Sequence, residues 1–136
     1  GTLNLMGIIG LSAGMDHLLE EGIEAIYRRE MNLLKILRNG FREAGGIELY
    51  CTEPLFDHVG LLTVTVEGID PEDVGAILDA DFNIAVRAGL HCAPLVHETL
   101  ETVPRGGIRF SLGPFNTAED VDRAVSAMSS LTHTGR

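Results

Sequence analysis

The sequence has 136 residues, room for one domain, with 45% hydrophobic and 22% charged residues. Its 20 Asp and Glu against 10 Lys and Arg leave a net charge of −10, which argues against a general nucleic-acid binder and against docking on an anionic membrane. Two cysteines without a CxxC pair make neither a disulfide framework nor a zinc ribbon.

From about Leu5 to Glu20, Gly7, Gly10, Ala13 and Gly14 are mixed with apolar residues nearly all round. The pattern predicts a helix made for close approach to another surface. Between Ile23 and Ala44, the residues Ile23, Ile26, Tyr27, Met31, Leu34, Leu37 and Phe41 recur at helical spacing. That segment is an amphipathic helix, stopped by Gly45-Gly46. Ile47–Tyr50 reads as a short strand, and Gly60–Glu67 as a second, with Leu62, Val64 and Val66 on one side. Asp70-Pro71-Glu72-Asp73 carries a cap, a first-turn proline and early acids, and so opens a helix running to about Asp79. Phe82–Val86 is expected to be extended and Gly107–Leu112 a further strand. Thr117 opens the last helix, whose Val121, Ala124, Val125, Met128 and Leu131 face the core.

The expected order is α-α-β-β-α-β-β-α. It describes an α+β fold with a small antiparallel or mixed sheet of about three or four strands, covered by helices on one face. Residues 1–136 form a single domain, with no internal repeat, no G-x-G-x-x-G and no Walker A sequence. No run of apolar residues reaches the roughly 18 that a membrane helix needs. With no signal-peptide pattern either, a cytoplasmic location is the default expectation.

Two stretches carry chemistry. In Val86-Arg87-Ala88-Gly89-Leu90-His91-Cys92-Ala93-Pro94, a strand ends in a glycine turn that presents a cysteine between a histidine and a proline. Nearby positive charge or a base makes a thiol a useful nucleophile, and Arg87 and His91 are both placed to serve. The plainer alternative is that Cys92 is a small buried hydrophobe and His91 a satisfied surface histidine. In Arg105-Gly106-Gly107-Ile108-Arg109-Phe110-Ser111, Arg109 sits inside an apolar strand. Such an arginine is either half of an internal salt bridge or a clamp for a substrate carboxylate. Arg105 belongs in a solvated loop, and the five histidines and two cysteines show no metal-ligand spacing.

These residues resemble the C-terminal end of cysteine desulfurases, pyridoxal-phosphate (PLP) enzymes of the class V aminotransferase family. The likeness rests on Arg87-Ala88-Gly89-Leu90-His91-Cys92-Ala93, on Gly107-Ile108-Arg109-Phe110-Ser111, and on Phe115-Asn116-Thr117 leading into Glu119-Asp120. It extends to Gly1-Thr2-Leu3-Asn4 at the front, and it covers essentially the whole chain in order. The resemblance implies a fold type I C-terminal small domain. In it Cys92 takes sulfur from L-cysteine, or selenium from L-selenocysteine, to give alanine and an enzyme persulfide. Arg109 binds the substrate carboxylate, Arg87 and His91 shape the surroundings of the cysteine, and Thr2 reaches the PLP phosphate of the partner subunit in a homodimer. A sulfur-acceptor protein is a possible further partner.

Two departures stand out. Leu90 occupies a position where many relatives carry a second histidine, and the PLP-binding large domain with its Schiff-base lysine is absent from these residues. Lysine occurs once, at Lys35, in the middle of a helix among arginines. The chain alone is therefore expected to be inert. Other members of the same family, namely selenocysteine lyases, aminotransferases or epimerases, and a stand-alone thiol or sulfur-carrier module remain as alternatives.

Overall fold

The computed structural model describes residues 1–55 and 57–134. Among these residues, five helices and four strands follow one another as α1 (Leu5–Glu21), α2 (Ile23–Ala44), β1 (Ile47–Tyr50), β2 (Leu61–Val66), α3 (Pro71–Phe82), β3 (Arg87–Gly89), α4 (Pro94–Thr99), β4 (Gly107–Ser111) and α5 (Ala118–Thr134). The strands form one antiparallel sheet in the order β1-β2-β4-β3.

Alternation along the strands divides the sheet into two faces. Leu62, Val64 and Val66 of β2 and Ile108 and Phe110 of β4 are buried on one face. There they meet Leu34, Leu37 and Phe41 of α2, Val74 and Leu78 of α3, and Val121 and Met128 of α5. Phe41 and Phe110 pack edge to face with ring centroids 5.0 Å apart, which joins α2 to the sheet. Helices α2 and α5 lie close because position 40 is glycine: a Cβ there would stand 2.5 Å from the Val125 side chain. Burial along α2 begins at Ile26, whereas Ile23 and Tyr27, part of the same apolar spacing, are exposed.

Helix α1 buries none of its residues. Leu5, Met6, Ile8, Ile9, Leu11, Met15 and Leu19 are all exposed, so its apolar surface is left open within this chain. His17, at its C-terminal end, stacks on Phe115 with centroids 5.2 Å apart. None of the helices is long and apolar enough to cross a membrane among the described residues.

The segment 82–86 departs from expectation. Helix α3 continues to Phe82 and is closed by Asn83 in the left-handed conformation. The Asn83 N–H donates to Asp79 O and the Ile84 N–H to Leu78 O, so these amides are committed to the helix end and not to a ladder. Phe82, Ile84 and Val86 still pack against the core, which is the source of their strand-like alternation. Ladder pairing with β4 starts only at Arg87. Helix α4, six residues opened by Pro94, was not anticipated, since one and a half turns leave no periodic signature.

Candidate active site

The second face of the sheet carries the polar residues. The register places Arg87 of β3 opposite Arg109 of β4, and Arg109 opposite Thr63 of β2. Two guanidinium groups as direct cross-strand neighbours repel, and sheets avoid that pairing without compensation. Neither arginine makes a salt bridge among the described residues, in a chain with twice as many acidic as basic side chains. The Arg109 Nε is buried without a hydrogen-bond partner. The internal salt bridge considered for Arg109 therefore finds no carboxylate. What remains is a pair of cations on the second face of the sheet, Arg87 exposed and Arg109 half-buried, with donors to spare for a planar anion such as a carboxylate.

Cys92 stands beside this pair. Beyond β3 the chain turns at Gly89, φ 93°, and then runs through His91 and Cys92 at φ 55° and 59°. Consecutive non-glycine residues in the left-handed region cost on the order of 1–3 kcal/mol each and persist only where surrounding contacts hold them. Arg87 supplies two of those contacts. Its Nη2 donates to Cys92 Sγ at 3.2 Å, a bond that a thiolate accepts better than a thiol. Its carbonyl oxygen accepts from His91 Nε2 at 2.9 Å. The Ala93 N–H donates to Leu90 O at 2.8 Å and closes the turn. Cys92 itself is exposed, contrary to the reading of it as a buried hydrophobe.

Behind the loop lies a histidine that sequence reasoning had left unplaced. His97 of α4 is 2% exposed. Its Nδ1 lies 2.7 Å from Thr102 Oγ1, and its Nε2 lies 3.4 Å from His91 Nδ1, with the two rings at 62°. Its signal in the sequence was its position six residues beyond His91, which the short helix α4 turns inward. Burial lowers the pKa of His91 below the usual histidine value, the Arg87 carbonyl works against that, and the charges of His97 and Arg109 add to the lowering. The neutral form of His91 is thus the favoured one.

The remaining candidates lie outside this cluster. Thr2 is exposed ahead of α1, and no hydrogen bond or ion pair joins it to the Cys92 loop among the described residues. Arg105 lies on an exposed loop as expected, 3.6 Å from Asp70. Cys51 is half-buried at the end of β1. Its thiol is pushed up by burial, which makes it a poor nucleophile.

Residues 1–124 match the family model for aminotransferase class-V. A probable cysteine desulfurase of Methanothermobacter thermautotrophicus is 33% identical over 136 residues, which is 99% of this chain and 34% of that protein. Another, from Halalkalibacterium halodurans, is 36% identical over 94% of this chain and 30% of its own length. Among solved structures, the apo cysteine desulfurase of Thermococcus onnurineus superposes with a TM-score of 0.91 at 36% identity, over 98% of this chain and 32% of that one. The cysteine desulfurase CsdA of Escherichia coli, in an S-sulfonic acid form, gives 0.84 at 29% identity, over 98% and 32%. The chain thus spans about a third of the length of the proteins it matches.

Proposed function

The chain belongs to the aminotransferase class-V family, and from that premise we propose that it is the C-terminal small domain of a PLP-dependent cysteine desulfurase. The observation that carries this reading is an exposed thiol held by one arginine beside a second arginine with no carboxylate partner among the described residues. An amino-acid substrate brings that missing carboxylate.

In this reading Arg109 binds the carboxylate of L-cysteine and so fixes where the substrate's sulfur lies. Holding the two reactants in one geometry makes their encounter effectively unimolecular. Cys92, as its thiolate, attacks that sulfur. The new S–S bond forms as the carbon–sulfur bond of the substrate breaks, the released carbon takes up a proton, and the products are L-alanine and a Cys92 persulfide. Arg87 stabilises the charge on Cys92 and, with His91, shapes the loop that presents it. The persulfide then passes to a sulfur acceptor. The working enzyme is a cytoplasmic homodimer in which Thr2 reaches the PLP phosphate of the partner subunit.

The residues of this chain do not make a PLP site on their own. Its one lysine, Lys35, is exposed on α2. The electron sink that PLP supplies comes from protein outside this chain, which the open apolar surface of α1 is suited to meet.

Cys92→Ser in the full-length protein tests the assignment. Alanine release from L-cysteine should fall by at least about 100-fold with the cofactor absorbance retained, because the nucleophile alone is lost. Unchanged alanine release would remove Cys92 from the reaction.

A further inference from the structure

His97 is absent from every role described so far, yet it is the buried histidine of the site and both of its ring nitrogens are engaged. The directions of the hydrogen bonds around it can be worked out from one end. Of the two backbone groups that hydrogen-bond His91, Arg87 and Gly107, Arg87 has the stronger effect; its carbonyl, 2.9 Å from Nε2, can only accept, which places the proton of neutral His91 on Nε2. That leaves His91 Nδ1 as an acceptor, and the donor facing it is His97 Nε2–H. His97 Nδ1 is then the acceptor for the Thr102 hydroxyl at 2.7 Å, in preference to the His97 carbonyl oxygen, which lies 3.3 Å from the same hydroxyl. A single chain of donors runs from Thr102 through His97 and His91 to the carbonyl of the residue whose guanidinium holds Cys92.

We propose that His97 is a positioning residue for the Cys92 loop: its Nε2–H, donated to His91, fixes the His91 tautomer that ties the loop back to the Arg87 carbonyl.

Both nitrogens of His91 are engaged by protein partners, and no hydrogen bond joins either of them to the thiol among the described residues, so His91 acts as a strut and not as the base for Cys92. With the wrong tautomer, an Nε2 lone pair would face the lone pairs of the Arg87 carbonyl. The ring would swing away and release His91 and Cys92 from their left-handed conformation. The charged and titratable groups around His91 are Arg87 on β3, Arg109 on β4, His97 on α4 and Cys92 in its own loop. Burial, and after it the charges of His97 and Arg109, disfavour a protonated His91 against the opposing backbone hydrogen bonds of Arg87 and Gly107, so the neutral arrangement is the favoured one.

The functional meaning of this strut rests on the sulfur-accepting role of Cys92, but its test does not. Long-range proton–nitrogen correlation spectra of the 136-residue chain at neutral pH report the tautomers directly. His91 and His97 should both carry their proton on Nε2; an Nδ1–H tautomer at either ring overturns the proposal. In a Cys51→Ser background, His97→Gln retains an N–H toward His91 and His97→Leu removes it. Alkylation of Cys92 by iodoacetamide should stay within about twofold for His97→Gln and slow by roughly fivefold or more for His97→Leu, as the Arg87 contact loosens. Equal rates in the two variants would mean that His97 only fills space. Because these readouts need neither substrate nor cofactor, a failure of the desulfurase reading would appear separately, as absent alanine release in the full-length protein.

Discussion

Arg109 shows how a single residue can be unfavourable for folding and still belong in a strand. Its Nε is buried without a partner, and its cross-strand neighbour is another arginine. Replacing it with an apolar side chain of similar length removes an unsatisfied donor and a like-charge contact. Arg109→Met should therefore stabilise the chain by about 1 kcal/mol in urea unfolding. In the full-length protein the same substitution should raise the KM for L-cysteine. A loss of stability with an unchanged KM would make Arg109 a structural residue. The sequence singled out Arg109 because an arginine in an apolar strand needs a reason. It could not tell clamp from ion pair, since whether a carboxylate stands nearby depends on strand register. His97 went unread for a related cause: its partner His91 is brought to it by a turn whose two left-handed residues leave no compositional mark.

At the scale of elements, the site depends on how β3, the loop after it and the start of β4 are held together. The contact at Gly106 is the tightest of these. Gly106 has φ 76°, and a Cβ there would lie 2.1 Å from the carbonyl oxygen of Gly89, at the point where the Cys92 loop leaves β3. Neither backbone can yield without shifting the loop or the ladder. Gly106→Ala should therefore destabilise the chain by roughly 3 kcal/mol, through both the backbone conformation and the collision. It should also change the alkylation rate of Cys92. A substitution without effect on either would show that loop and strand are not coupled there. The order of the long elements was legible, because α2, β2 and α5 carry clear periodicities and α3 a clear cap. The boundary at residues 82–86 was not. Phe82, Ile84 and Val86 alternate because they line the core, while their amides serve the end of α3. Core contact and ladder pairing give the same pattern in sequence, and only hydrogen bonding separates them.

For the whole molecule, the sheet divides its labour between faces: one buries the core against α2, α3 and α5, and the other carries the arginine pair beside Cys92. The chain also spans only about a third of its relatives, and α1 lies with its apolar residues uncovered. The α+β class was legible from the periodicities and caps of the elements, and the motifs around them singled out Cys92, Arg87, His91 and Arg109 as candidates. How Arg87 grips His91 and Cys92 was not legible, because those contacts depend on a turn made after the strand ends. The measurement that tests the account most directly is the mass of the Cys92 peptide after the full-length protein has turned over L-cysteine, with iodoacetamide added to trap thiols and persulfides. The account predicts a Cys92 peptide heavier by one sulfur atom, formed together with L-alanine and absent without substrate. Alanine release with that sulfur on another residue, or on none, would contradict it.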